Sequence, residues 1–265
     1  MQLDPAGFDA RADALVRAEF SAAPGEARYF LSHRARFRRD FATLAASWRG
    51  GRLLEVGAYP FFFTALLKHS GLPVTALDLA PERLAPLIAR QDLDVLACDI
   101  EAERWPFEEA SFDYALFTEL LEHLRVDPLF ALAELNRVLK PGGLLLLTTP
   151  NLYALKTVLR FALGRGLWDP LAEFGKLRRL GHMGHVREYA KADVLRLLTA
   201  SGFRAVRTEY LQYAYPGVLG RAARPLLSLV PPLRGFLCVL AEKVAPAPPL
   251  EPLRPRPSEA SALPR

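Results

Sequence analysis

A parallel, doubly wound α/β fold is what this 265-residue sequence predicts, and three observations carry that expectation. The run Leu53-Leu54-Glu55-Val56-Gly57-Ala58-Tyr59 is apolar, ends in a carboxylate and a glycine, and leads into an amphipathic segment from Phe61 to His69. That order reads as strand, tight turn, helix. Two further apolar runs, Val74 to Asp78 and Asp94 to Asp99, also end in acids, so three successive strands carry an acid at the carboxyl end. Strands that alternate with helical patterns assemble into parallel sheets, and open α/β sheets bind ligands at the carboxyl ends of their strands.

The elements follow in order. Residues 1–48 read as a helical N-terminal extension whose basic cluster, Arg34, Arg36, Arg38 and Arg39, is expected to be a solvated helix face. Strands are expected near 52–57, 74–79, 94–99, 112–118 and 143–149, with helices near 61–70, 81–91 and 127–139. Pro81 suits the start of a helix, where its missing N–H costs nothing. Pro141-Gly142-Gly143 is expected to stop a helix ending at Leu139 and to turn the chain into Leu144 to Leu147, a strand buried on both faces. A mixed apolar and basic insertion, 152–180, follows the fifth strand, where a lid or helical cap over a substrate belongs. A helix near 191–201 and strands near 203–213 and 235–243 complete a sheet of about seven strands. The main domain is therefore expected over 49–245. The tail 246–265 has seven prolines in 20 residues and is expected to be disordered.

The residues Glu55-Val56-Gly57, Asp78, Asp99-Ile100, Phe112 to Glu119 and Leu139-Lys140-Pro141-Gly142-Gly143 together resemble the class I S-adenosylmethionine (SAM)-dependent methyltransferases, which are Rossmann-like. The first motif departs from the family's acid-x-Gly-x-Gly-x-Gly pattern. Tyr59 and Phe61 replace the second and third glycines, with Pro60 between them. Tyr59 is expected either to pack against the cofactor or to hold it farther from the turn.

The resemblance implies a cofactor cradle of Glu55, Gly57, Ala58, Tyr59, Asp78, Leu79, Asp99, Ile100, Thr118 and Glu119. Asp78 would accept from both ribose hydroxyls, since a carboxylate has two acceptor oxygens for two adjacent donors. Asp99 would accept from the adenine amino group with Ile100 against the ring. Glu55 and the Gly57 turn would face the methionine end, and the backbone of Phe117-Thr118-Glu119 would flank the sulfonium. A hydroxyl acceptor also needs a base, and histidine is suited to that near neutral pH. Of the five histidines, His33 and His69 are expected to lie outside the site. His185, His182 and His123 are the candidate catalytic residues. His123 belongs to a Glu-His pair similar to that of ubiquinone-biosynthesis-type methyltransferases, and Glu122 beside it is expected to be solvated or paired.

The resemblance thus implies a SAM-dependent methyltransferase acting on a small-molecule, lipid-like or glycan-linked acceptor, at oxygen. A non-catalytic or repurposed member of the same fold and an NAD-dependent enzyme are the alternatives; the latter lacks its three-glycine fingerprint. The net charge of +5 and pI of about 9.4 are too mild to imply nucleic-acid binding. Cys98 and Cys238 read as reduced core residues of a cytoplasmic protein, and no Cys/His spacing implies a metal. The first 20 residues hold four acids and no long apolar run, so no signal peptide is expected. Segments 152–180 and 216–234 mix apolar and basic side chains. They either pack over the sheet around the acceptor or make weak, peripheral contact with an anionic membrane.

Overall fold

The computed structural model describes residues 3–180, 184–214 and 217–253. Three helices come first: α1 (Phe8–Glu19), α2 (Pro24–Ser32) and α3 (Arg34–Ser47). The alternating region follows as β1 (Leu53–Val56), α4 (Phe62–His69), β2 (Val74–Asp78), α5 (Ala85–Arg90), β3 (Asp94–Ala97), β4 (Phe112–Thr118), α6 (Pro128–Val138) and β5 (Leu139–Pro150). Then come α7 (Leu155–Ala162), α8 (Pro170–Leu180), α9 (Lys191–Ala200), β6 (Phe203–Leu211), α10 (Gly217–Ala222), α11 (Arg224–Leu229) and β7 (Phe236–Lys243).

The seven strands lie in the order β3-β2-β1-β4-β5-β7-β6. The first five pair in parallel, whereas β7 runs antiparallel between β5 and β6. The sheet is therefore mixed, which corrects the expectation of a parallel one. The connection from β6 to β7 holds only short helical pieces and the Pro231-Pro232 break. Among the described residues it contains no long crossover helix of the kind that returns a strand in parallel.

Apolar burial splits over the two faces. One face packs α1 to α4 against Leu53, Ala76 and Leu116; the other packs α6 and α9 against Leu54, Leu77, Ala115 and Leu145. The N-terminal helices are fastened to α4 through aromatic rings: Phe30 stacks on Phe37 and Phe62 at 5.0 and 5.5 Å, and Phe37 meets Phe63 at 5.0 Å. Each phenylalanine fully buried in this way contributes about 1.5–3 kcal/mol through lost contact with water. Cys98 and Cys238 are unpaired and buried, and burial pushes both thiols up to about 12.

Asp127 starts α6 by accepting the Leu129 N–H at 2.9 Å, with Pro128 at the first helical position. The helix stops at Val138, before the Pro-Gly-Gly rather than at it, and the motif lies inside β5. It forms an irregularity: Phe112 pairs with Leu139, whereas Tyr114 pairs with Leu144. Gly143 is required there, because a Cβ would sit 2.8 Å from the Lys140 carbonyl oxygen. The Lys243 ammonium caps the helix end by donating to the carbonyls of Asn136 and Leu139 at 2.7 and 2.8 Å.

Disorder was expected from residue 246, yet 246–253 run beside α6, where Asn136 Oδ1 accepts the Ala247 N–H at 3.0 Å. Residues 254–265 lie outside the described residues.

Candidate active site

The pairing of β3, β2, β1 and β4 sets their carboxyl ends side by side, so the loops after them line one edge of the sheet. Gly57, at φ +73°, makes the turn after β1, and a Cβ there would lie 2.7 Å from Leu120 Cδ2. The positive φ is what favours glycine here, while a Cβ would also displace the Leu120 methyls. The Gly57 and Ala58 N–H groups both donate to the Leu77 carbonyl, at 2.8 and 3.2 Å, closing the turn against β2.

The residues in place of the missing glycines have separate tasks. The Tyr59 N–H donates to Asp78 Oδ2 at 2.9 Å, and its hydroxyl donates to Glu26 Oε1 on α2 at 3.0 Å. Phe61, fully buried, occupies left-handed backbone at φ +64° just before α4. That conformation is one glycine adopts at no steric cost; here the aromatic contacts of a buried ring accompany it.

Asp78 Oδ1 accepts the Ala80 N–H at 3.1 Å, so its two oxygens are held by one backbone donor each. A carboxylate has about four lone-pair sites, which leaves acceptor capacity at both oxygens. Leu79 beside it is 60% exposed, an unusual setting for leucine and a ready apolar surface for a flat ring. Asp99 Oδ1 accepts the Glu101 N–H at 3.1 Å and thereby caps its own turn, while the Ile100 carbonyl accepts from the Trp105 indole at 3.3 Å.

Glu55 is buried with Thr64 of α4 donating to it at 2.7 Å. Burial pushes its carboxyl up to about 8, against the opposing Thr64 hydrogen bond. Its observed partner is thus a helix of the fold. Thr118 ends β4, and Glu119 follows at φ +52° with its N–H on the Thr148 carbonyl at 2.8 Å.

A cavity of about 420 Å³ opens next to Glu119. Its walls include Tyr29, His33 and Arg36 from the N-terminal helices, Glu122 and His123 after β4, His185, and Gln212, Tyr213 and Phe236 from the β6 and β7 ends. His123 and His185 meet edge to face at 4.9 Å. The Gly184 carbonyl accepts from His123 Nδ1 at 2.8 Å, which places the proton of the neutral ring on Nδ1 and leaves Nε2 the basic nitrogen. His185 Nδ1 lies 3.6 Å from Glu188 Oε1, and the Trp168 ring from the insertion stands 5.1 Å from the His185 ring. His182 lies outside the described residues.

Several expectations are corrected here. His33 lines the cavity instead of lying outside the site. Its pKa is lowered, by burial first and then by the Arg36 charge, against the opposing Tyr29 carbonyl. Arg36 is not on a solvated face; it is 7% exposed. Burial works against its charge, yet Tyr29, Glu119 and Asp40 outweigh it and raise its pKa. Of the two alternatives for Glu122 it is the paired one that holds: it is fully buried, with Thr149 donating to it at 2.9 Å, and burial together with Glu119 lifts its carboxyl well above the usual range. Its backbone carbonyl accepts the N–H groups of Val186 and Arg187 at 2.8 and 3.2 Å, which docks the loop bearing His185. Asp40, one turn from Arg36, is fully buried and pushed up to about 7 by burial.

These residues carry a visible signal: on α3 the buried face reads Arg36, Phe37, Asp40, Phe41, Leu44, an i,i+4 charge pair inside an apolar stripe. Polar atoms on five cavity residues are buried without a hydrogen-bond partner among the described residues: Arg36 Nε, Glu119 Oε1, Glu122 Oε1, His185 Nδ1 and Tyr213 Oη. Buried polar atoms of that kind call for a polar ligand or water. No Cys/His spacing in the sequence implied a metal, but ligand atoms of Glu122, His123 and His185 lie within 4.8 Å of one another, close enough to share a metal ion.

Residues 54–147 match the methyltransferase domain family. The ubiquinone biosynthesis O-methyltransferase of Xanthomonas campestris pv. campestris is 34% identical over 119 residues, 43% of this chain and 49% of that protein. The malonyl-[acyl-carrier protein] O-methyltransferase of Erwinia billingiae is 34% identical over 136 residues, 50% of this chain and 49% of that protein. The chain spans about half the length of the curated relatives it matches. Among solved structures, the Burkholderia thailandensis 1,6-didemethyltoxoflavin-N1-methyltransferase aligns with a TM-score of 0.56 at 22% identity, covering 88% of this chain and 89% of that one. Residues 54–147 thus resemble a methyltransferase domain, and the seven-stranded fold around them is shared with the Burkholderia enzyme.

Proposed function

We propose that this chain transfers a methyl group from SAM to a hydroxyl of a small molecule, as a cytoplasmic enzyme. The observation that carries the reading is one juxtaposition. A glycine turn at positive φ and two strand-end carboxylates share the sheet edge with Glu119, and Glu119 also lines a cavity with His33, His123 and His185. The residues present fit the cofactor. Gly57 gives the turn after β1 its left-handed backbone, Asp78 keeps acceptor capacity for two ribose hydroxyls, and Leu79 and Ile100 offer apolar surface to the adenine near Asp99. SAM supplies an already activated methyl on a sulfonium.

The chain's own residues then have to position, screen and deprotonate. The backbone of Thr118 and Glu119 borders the reacting centre. Arg36 is a buried cation available to a carboxylate on the cofactor or the acceptor. Glu55 braces β1 to α4 through Thr64, which is how it serves the turn two residues later. His123 Nε2 and His185 are the bases that take the hydroxyl proton, and His182 is a third candidate. The cavity volume of about 420 Å³ lies within the range of small-molecule sites, about 300–1,000 Å³.

The O-methyltransferase names of the two curated relatives support oxygen as the target. The modest basic charge argues against a nucleic-acid substrate. Weak membrane contact forms part of the reading. Leu163 and Leu171 of the insertion are 71% and 83% exposed, Leu229 of α11 is 82% exposed, and Lys156, Arg160, Arg221 and Arg224 lie among them in the chain. No helix among the described residues is long and apolar enough to cross a membrane. Sedimentation with anionic vesicles should show binding that fades as salt rises.

Calorimetry with SAM, S-adenosylhomocysteine and NAD tests the cofactor. Saturable binding of the first two, with SAM-dependent release of S-adenosylhomocysteine on addition of hydroxylated acceptors, is the expected result. Preference for NAD, or no binding of any of the three, would overturn it.

A further inference from the structure

A second cavity, of about 590 Å³, shares the walls Ala35, Gln212 and Tyr213 with the cavity beside Glu119. It differs in charge. Arg38, Arg39 and Arg234 line it, and among the described residues no carboxylate does. The acids that approach from packed elements are already shared. Asp9 accepts from Arg34 and Arg38 at 2.7 and 3.3 Å, Asp13 accepts from Arg34 at 2.6 Å, and Glu209 accepts from Arg39 and Arg207, each at 2.6 Å. Around the three lining arginines, Arg34 and Arg207 share these three carboxylates, and Asp40, which acts on Arg39, has Arg36 as its first cation, so positive charge stays in surplus around the opening.

Two of the guanidinium groups are held in place. Arg234 donates through Nε to the Leu227 carbonyl at 2.8 Å and through Nη1 to the Tyr210 carbonyl at 3.1 Å. Arg39 is tied to β6 through Glu209, and its Nε is buried without a hydrogen-bond partner among the described residues. The wall between the cavities is fixed as well: Gln212 accepts the Gly235 N–H at 2.9 Å and donates to the Ala214 carbonyl at 2.7 Å.

We propose that this arginine-lined cavity is a subsite for a phosphate group carried by a soluble acceptor, the methyl-accepting end of which enters the neighbouring cavity. The proposal rests on the acceptor reading given above. Guanidinium groups are suited to the task because their planar donors match phosphate oxygens, and preorganised ones lose little freedom on binding. Because Ala35, Gln212 and Tyr213 line both cavities, a molecule that occupies both would cross this wall between the histidine pair and Arg39. The subsite would select acceptors by their charge.

Inorganic pyrophosphate is the probe. The arginine side-chain Nε–H signals of the full-length protein are followed by NMR at low salt, with sodium chloride at matched ionic strength as control. Saturable shifts of the Arg39 and Arg234 signals by pyrophosphate are expected. Arg39→Gln should weaken the pyrophosphate affinity by about tenfold. Arg39→Lys, which keeps the pairing with Glu209 and hence the fold, should weaken it by less. Equal shifts with chloride, an unchanged affinity in Arg39→Gln, or a response to anionic vesicles but not to pyrophosphate would overturn the proposal. Calorimetry with S-adenosylhomocysteine on the same samples reads the cofactor site separately, so failure of the methyltransferase reading is distinguishable from failure of the subsite.

Discussion

The half of the site at the ends of β1 to β4 and the half around His123 and His185 are built differently. The first comes from one continuous stretch, residues 55–119, in which each strand delivers its terminal residue to the same edge by the parallel register. Its groups are held by backbone donors only a few residues away or on the next strand, as Asp78 is by Tyr59 and Ala80. The second half draws Arg36 from α3, Glu122 from the turn after β4, His185 from the loop after α8 and Tyr213 from the end of β6. It is held by long-range pairings such as Thr149 with Glu122 and Gly184 with His123. A half made of local turns is suited to a constant ligand, and a half made of distant segments to a variable one. Loops and added helices change without disturbing the sheet.

The largest effect is expected in the local half. Asp78→Ala should remove both ribose hydrogen bonds and lower S-adenosylhomocysteine affinity by about a hundredfold, roughly 3 kcal/mol, with the far-UV circular dichroism unchanged. Retained affinity in a folded variant would separate Asp78 from the cofactor.

In the distant half, Arg36→Met should lower stability by about 3 kcal/mol, because Asp40 and Glu119 would lose their buried countercharge. Urea titration reads this, and a shift below about 0.5 kcal/mol would show that Arg36 is not their partner.

The histidines sharpen the contrast. His185→Ala and His123→Ala, with His182→Ala beside them, should depress kcat while leaving S-adenosylhomocysteine affinity within about twofold. Loss of cofactor affinity in these variants would merge the two halves.

The pH dependence is smaller and has a definite sign. Glu55, raised from 4.5 to about 8, and Asp40, raised from 3.8 to about 7, hold their protons longer when folded than when unfolded. Between these values the native state binds more protons, so stability should fall as pH rises from about 4 to 8. Glu55→Gln should flatten the upper part of that slope in urea midpoints taken across the range; an unchanged slope would show that Glu55 does not titrate there.

The smallest effect belongs to the tyrosine that replaces a glycine. Tyr59→Phe removes the link to Glu26 and should speed S-adenosylhomocysteine release by no more than about fivefold, since an exposed hydrogen bond contributes about 1 kcal/mol or less. A larger change in stopped-flow release would make the α2 contact a main determinant of cofactor residence.

The contrast also explains what the sequence revealed. The strand ends, Gly57, Asp78 and Asp99 are local patterns, apolar runs punctuated by an acid or a glycine, and periodicity exposes them. The antiparallel β7 was hidden because strand direction depends on what the connection packs against, and 212–235 carries no period that declares it. The burial of Arg36 is masked because four arginines in one helix resemble a solvated face unless the apolar stripe of Phe37, Phe41 and Leu44 is drawn through them. His33 and Tyr213 reach the cavity only through tertiary packing, for which a single sequence holds no pattern. Tyr59 drew notice as a departure from glycine, but its bond to Glu26 spans 33 residues and belongs to the fold.

Hydrogen–deuterium exchange with and without S-adenosylhomocysteine tests the division most directly. The account predicts protection at residues 55–61, 78–80, 99–101 and 117–120, with 184–188 and 210–214 unaffected until an acceptor is added. Protection absent from the Asp78 and Asp99 loops, or appearing first at 184–188, would contradict it.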